Sequence, residues 1–302
     1  MLTRLLHSCS HQGRPQGGDV IKKQYAAKQL LEELDSILSE RDKAILRSLL
    51  QCRYLLTGQI RRLHFTDSAN PAAGLRATNA ATAKLKNYGL IEPLERRIGG
   101  VRAGSHSYVW TLTESGFRLL NLNDGEVIKR KRSFEPSVSF LNHTLGVSET
   151  FVRIKEMCEG YQLELIQLEL EPACWRNYAK NGKLMSLNPD LFAVTQNDRF
   201  QDSWFIEVDC GTESLNKIME KCRRYVRYRN TGIEQKKHEV FPLVVYLVAN
   251  ENRKNALCRY IADCREIPEP SKNIFIVILQ NELETLIYGG VTALTEKERS
   301  AA

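Results

Sequence analysis

Three carboxylates stand at spacings that can do chemistry: Asp190 in LNPDLFAVT (residues 187–195), and Glu207 and Asp209 in SWFIEVDCGTE (203–213). Both strings read as strands. Strand residues two apart share a face, so Glu207 and Asp209 point one way while Trp204, Ile206 and Val208 point the other. Converging carboxylates are the ligands that Mg²⁺ or Mn²⁺ prefers, and such an ion can activate water against a phosphodiester. The expectation is a nuclease-like site with Asp190, Glu207 and Asp209 as metal ligands.

A basic helical run follows Cys210-Gly211. Lys217, Lys221, Arg224 and Tyr228 fall at i, i+4, i+7 and i+11 on one stripe, with Leu215, Ile218, Met219, Cys222 and Tyr225 facing the core. Lys221 can fold its ammonium back toward the carboxylates and assist water or the scissile phosphate, which makes Asp190, Glu207 and Lys221 the catalytic candidates. Glu149, upstream on a helix, can add a fourth acidic group. Each residue also has a plainer reading: Asp190 as a turn cap after Pro189, Lys217 and Arg224 as a solvated basic face, Glu149 as an exposed helix glutamate, and His143 as a structural histidine.

The elements that must position these groups begin after residues 1–24, a stretch rich in Gly, Ser, Gln and His without period, read as a disordered tail. A lead-in helix spans residues 26–38. Ser39 to Asp42 is an N-cap signal for a second helix, residues 57–64 form another, and 75–88 form an Ala-rich helix ended by Gly89. Strands at 90–97 and 107–113 flank a Gly-containing tip. Helix, helix, helix, hairpin is the order of a winged helix-turn-helix, in which the third helix enters a major groove and the wing touches backbone or minor groove. The DNA-contact candidates are Arg76, Thr78, Asn79, Thr82, Lys84 and Lys86 on that helix, with Arg96, Arg97, Arg102 and His106 on the wing. A protein-docking role fits the same order.

The remaining order is a helix (138–158), strands at 162–170, around Asp190 and around Glu207, the basic helix (212–229), a strand (241–248), a helix (252–264) and a strand (274–279). This predicts an α+β chain of two domains: a winged helix over 25–128, a basic linker over 129–136 carrying Lys129-Arg130-Lys131-Arg132, a mixed-sheet α/β domain over 137–290, and a tail over 291–302. Charge divides along the same line. Residues 1–135 hold 22 Lys and Arg against 13 acids, and the rest 21 against 23, so the halves net +9 and −2 of the chain's +7. A basic module of this kind suits a polyanion, because cations that neutralise phosphates release condensed counterions.

Eight cysteines without a C-x-x-C pair disfavour zinc ribbons and read as reduced thiols. No run approaches the roughly 18 apolar residues of a membrane span. A cytoplasmic protein without a membrane partner is expected.

Residues 137–280 resemble the PD-(D/E)XK nuclease superfamily. Over a longer stretch, ERDKAILRSLLQCRYLLTGQIRRLHF, LKNYGLIEPL, YVWTLTESG, FLNHTLGVSE, NPDLFAV and FIEVDCGTES, with Lys221 and Tyr225 downstream, resemble the bacterial replication-relaxation family. Its members join a winged helix to such a nuclease-like domain and are associated with plasmid replication and plasmid DNA relaxation. One departure stands out. Asp209 occupies the place, two residues after Glu207, where the superfamily has Lys; relatives in the superfamily move that lysine to the following helix, as Lys221 would.

The resemblance implies a DNA-binding protein of a plasmid or mobile element, acting in replication or relaxation as a Mg²⁺- or Mn²⁺-dependent nicking endodeoxyribonuclease. The alternative is a non-catalytic transcriptional or replication regulator with a degenerate nuclease domain. A third expectation is an adaptor that recruits a relaxase or replication protein.

Overall fold

The computed structural model describes residues 28–95, 98–99, 106–122, 136–160, 163–180, 182–198 and 200–301. Within it, helix α1 (Lys28–Ile37) turns Leu31 and Leu34 inward and leads to Ser39. The Ser39 hydroxyl accepts from the Asp42 amide while the Asp42 carboxylate accepts from the Ser39 amide, closing the first turn of α2 (Glu40–Cys52). Reciprocal caps of this kind contribute roughly 1 kcal/mol.

A two-residue strand, β1 (Leu55–Leu56), and helix α3 (Thr57–His64) follow. Helix α4 (Pro71–Asn87) starts four residues earlier than its hydrophobic pattern suggests, because Asn70 caps the Ala73 amide and Pro71 fits the first turn, where its missing N–H costs nothing. Gly89, at φ 69, stops it. Strand β2 (Ile91–Pro93) and the short pieces β3 (Ile98–Gly99) and β4 (His106–Ser107) precede β5 (Val109–Leu112) and helix α5 (Glu114–Leu120). Strand β5 pairs antiparallel with both β1 and β2, and β3 pairs with β4. The β1 partner is too short to leave a period in the sequence.

Helix α6 (Val138–Gly160) opens the second half. Strands β6 (Glu164–Leu170), β9 (Leu191–Gln196), β10 (Gln201–Asp209), β11 (Leu243–Val248) and β12 (Phe275–Leu279) form a sheet in the order β12-β11-β10-β9-β6. Strands β10, β11 and β12 run parallel, and β9 runs against both β10 and β6. A hairpin, β7 (Arg176–Lys180) and β8 (Lys183–Leu187), stands beside the sheet. Helices α7 (Leu215–Arg229), α8 (Ile233–His238), α9 (Glu251–Ala262), α10 (Glu269–Lys272) and α11 (Leu283–Ala301) complete the chain. The architecture is thus α+β with two domains, helical first and mixed-sheet second. Residues 291–301, expected as a tail, belong to α11, and Leu283, Leu286, Ile287 and Leu294 bury one of its stripes.

Alternation along the strands separates two cores. Leu191, Ala193, Trp204, Ile206, Val208, Val245 and Leu247 face one side, in a cluster continuous with α6 and with the core of the first domain. Phe192, Val194, Phe205, Val244, Tyr246 and Val248 face the other, under α7 and the hairpin. Helix α6 therefore packs on both domains. Its Gly146 lies against Val208, where a Cβ would be 3.2 Å from Cγ1, and its buried Ser148 hydroxyl donates to the Tyr54 carbonyl at 2.9 Å. Among the described residues, no helix is long and apolar enough to cross a membrane, and the seven cysteines are free.

Gly116 makes the tightest approach in the first domain: a Cβ there would sit 2.1 Å from the Leu90 carbonyl oxygen. Alanine is favoured over glycine in a helix by roughly 1 kcal/mol, yet G116A should lower stability by about 1–3 kcal/mol because the backbone must shift to admit the methyl. Urea denaturation reads the sign; a stabilised G116A would show that α5 can slide away from β2.

Candidate functional site

The exposed side of α4 is built from small and polar residues. Ala72, Leu75, Arg76, Asn79, Ala80, Ala83, Lys86 and Asn87 face solvent, a stripe that small side chains leave open to close approach. Arg76, Asn79 and Lys86 stand there as expected. Thr78 and Thr82 do not. Both are buried, and their hydroxyls donate to the Gly74 and Thr78 carbonyls one turn back, so their place among the outward residues is corrected. Lys84 is only half-exposed, with its ammonium 2.7 Å from the buried Asp42 carboxylate. Arg96, Arg97 and Arg102 lie outside the described residues, as does the 129–132 basic tetrad; for His106 only the backbone of β4 is described.

The second cluster lies where β10 ends. Ile206 pairs with Leu191, so one residue further the register sets Asp190 beside Glu207, with Asp209 two residues on. The Asp190 carboxylate accepts from the Val208 amide at 2.7 Å and lies 3.3 Å from the His143 imidazole of α6. Glu207 is 2% exposed and points to the α7 side of the sheet, where the Lys221 ammonium stands 3.0 Å from one oxygen and the Tyr225 hydroxyl donates to the other at 2.7 Å. The expected approach of Lys221 to Glu207 is therefore present. Asp209 accepts from the Arg253 guanidinium of α9 at 2.5 Å and from the Gly211 amide at 2.9 Å.

Burial, reinforced by the nearby Asp190 charge, pushes the Glu207 carboxyl up to about 7 against the pull of Lys221 and Tyr225. Burial alone would lower Lys221, but Glu207 and Asp190 outweigh it and hold the ammonium above its ordinary value. The bond to Asp190, and a second to Cys210, raise His143 to about 10 although burial opposes them. At neutral pH, Asp190 and Glu207 thus face two cations, Lys221 and His143, while Arg253 answers Asp209.

This arrangement overturns the expected Mg²⁺ or Mn²⁺ site. No group of three or more His, Cys, Asp or Glu among the described residues is placed to hold a metal ion. The oxygens that were to bind one are engaged by an ammonium, a phenol, a guanidinium, an imidazole and two backbone amides. A dication would add charge to a set already compensated from within.

Glu149 is brought to a different place. It faces the first domain, accepting from Gln59 at 3.0 Å and pairing with Arg62, which also binds Glu156. Tyr228, expected on the outer stripe of α7, is buried and donates to Glu234 at 2.7 Å. Three contributors lie outside the sequence candidates: His143 and Tyr225, which read as structural and core residues, and Arg253. Tyr225 is within reach of the pattern, one turn after Lys221. Nothing local marks Arg253, whose role depends on β11 pairing with β10. Between the domains, a cavity of about 220 Å³ is lined by Leu49, Tyr54, Leu112, Phe117, His143 and Asp190 among others.

A family model described as Replication-relaxation matches residues 46–244, about two thirds of the chain, from within α2 into β11. Neither a curated protein nor a solved structure matches it.

Two of the three raised groups, Glu207 and His143, give stability a definite pH dependence near neutrality. A carboxyl whose folded pKa exceeds its ordinary 4.5 binds its proton more tightly when folded, so Glu207 costs stability as pH rises from about 4.5 to about 7. His143 gains stability from its charge below its ordinary 6.5, and that gain is lost as pH rises toward about 10. Urea titrations of wild type, E207Q and H143Q across pH 5–9 should show the acid-side limb flattened in E207Q and the alkaline limb flattened in H143Q. Curves parallel to wild type would remove these groups from the balance.

Proposed function

The chain belongs to the replication-relaxation family, and from that premise we propose that it is a non-catalytic DNA-binding protein that acts in the replication of a plasmid or mobile element. The reading takes residues 25–128 as a winged helix-turn-helix and residues 137–290 as a degenerate relative of the PD-(D/E)XK nuclease core. In support of the first, helices α2, α3 and α4 are followed by β2 and β5, which pair antiparallel with β1 completing the sheet, and α4 exposes Arg76 and Asn79 between alanines. Arginine suits the O6 and N7 acceptors of guanine and asparagine the N6 and N7 edge of adenine, while alanines let the helix approach a groove floor. Lys86 suits a phosphate.

The observation that carries the non-catalytic reading is the internal neutralisation of Glu207. Its oxygens are taken by Lys221 and Tyr225, and neither Asp190 nor Asp209 is left free of protein donors. In this reading the former acid cluster clips α6, α7 and α9 to the end of the sheet, and a relaxase or replication protein supplies any strand cleavage.

Two measurements test the proposal. R76A and N79A should each weaken binding to the protein's own replication-origin DNA by roughly 1–3 kcal/mol, whereas K86A should reduce the salt slope by about 1 with little change in sequence preference. Supercoiled plasmid incubated with the protein and Mg²⁺ or Mn²⁺ should stay supercoiled. Open-circular product that disappears in D190N or E207Q would overturn the non-catalytic reading.

A further inference from the structure

The second domain is close to neutral as a whole, but its charges are sorted. Residues 172–189 and 215–238, which hold the β7–β8 hairpin and helices α7 and α8, carry 11 of the 21 Lys and Arg beyond residue 135 and only 2 of the 23 acids. These elements share one hydrophobic cluster. Tyr178 of the hairpin packs against Tyr228 of α7 with ring centroids 5.1 Å apart and planes tilted by 45°, and Arg176 donates to the buried Glu234 of α8 at 2.9 Å. The basic elements are therefore one body on the sheet face that lies away from the first domain.

Several of these cations are spent internally. Arg176 answers Glu234, Lys221 answers Glu207, and Arg223 and Arg227 share Glu220. Lys180, Lys183, Lys217, Lys236 and Lys237 are exposed and make no ion pair with a described residue. Two of them oppose each other. The register sets Lys180 directly across from Lys183 at the end of the hairpin, and like charges facing across strands are destabilising. Leu184, 80% exposed, sits next to them. Nothing in the described fold balances this pair; a polyanion would.

We propose that the hairpin end, α8 and the outer face of α7 form a second duplex-DNA surface, gripping phosphates without regard to sequence. DNA is favoured over an acidic protein because the surface offers spaced point charges and one apolar side chain rather than a groove. Lysines suit backbone phosphates, and an exposed leucine on a β-ribbon suits the edge of a base step. Because α4 belongs to the domain packed on the opposite face of the sheet, occupancy of both surfaces holds two duplex segments in one protein.

The inference stands apart from the reading of α4, and one experiment separates them. The full-length chain is bound to bead-anchored origin duplex, and retention of a second, fluorescent duplex of unrelated sequence is measured from 50 to 200 mM salt. Wild type should retain it. K180Q/K183Q/K236Q/K237Q should hold the anchored duplex as before, yet retain the second at least tenfold less, with a salt slope shallower by about 0.9 for each phosphate no longer neutralised. Residual binding by R76A/N79A should fall with the same four substitutions. Equal retention by wild type and the lysine variant, or preferential capture of polyglutamate over duplex, would overturn the proposal. Loss of the anchored duplex in R76A/N79A alone would still leave α4 as the reader. A thermal unfolding midpoint of the lysine variant at or above that of wild type, as relief of the Lys180–Lys183 repulsion requires, confirms that its fold is intact.

Discussion

A glutamate buried in the middle of a sheet has to be answered from within the protein, and the second domain is arranged around that requirement. Leaving a carboxylate unpaired in the interior costs several kcal/mol, and breaking a buried pair costs about 3–5 kcal/mol. Glu207 is answered by Lys221 and Tyr225, one turn apart on α7, which fixes the rotation of that helix about its axis. With α7 so turned, Met219, Cys222 and Tyr228 face the sheet and the hairpin, while Lys217 and Arg224 face solvent. A single charge thus sets which surface of the domain is greasy and which is basic.

The joint between the domains rests on different physics. Helix α6 is largely covered over its middle turns, because one side meets the strands and the other meets α3 and the Tyr54 segment, which leaves only an edge partly exposed. Gly146 gives up a side chain to let Val208 in, and Ser148 carries a hydroxyl that satisfies a carbonyl of the other domain. Around this dry seam, Arg62 gathers Glu149 and Glu156 at partial exposure, where solvent screening leaves such pairs worth little. Apolar contact holds the domains together; the ion pairs fix their register.

Much of this is legible in the residue pattern. The parity of β10, the cap at Ser39, the stop at Gly89 and the turn of Lys221 toward Glu207 all follow from local spacing, which is what sequence records directly. The pattern misleads about a metal because acids at converging positions look alike whether their partners are a cation in solution or an arginine 44 positions away. Thr78 and Thr82 mislead for a related reason: a threonine that bonds back to its own helix can be buried where a helical wheel drawn for polarity sets it outside. The β7–β8 hairpin has a signal of its own that the reading of the strands omits, since Asn181-Gly182 between alternating residues is a strong marker of a two-residue turn.

The matched span stops at residue 244, the second residue of β11, whereas the guanidinium that answers Asp209 comes from Arg253. The span that the family model covers is thus chemically incomplete by itself: it supplies an anionic group at the rim of the sheet, and the stretch beyond supplies the counter-charge together with most of the strand and the helix that shield it. A change in that terminal stretch is consequently a means of retuning the electrostatics of the rim while the sheet framework stays as it is.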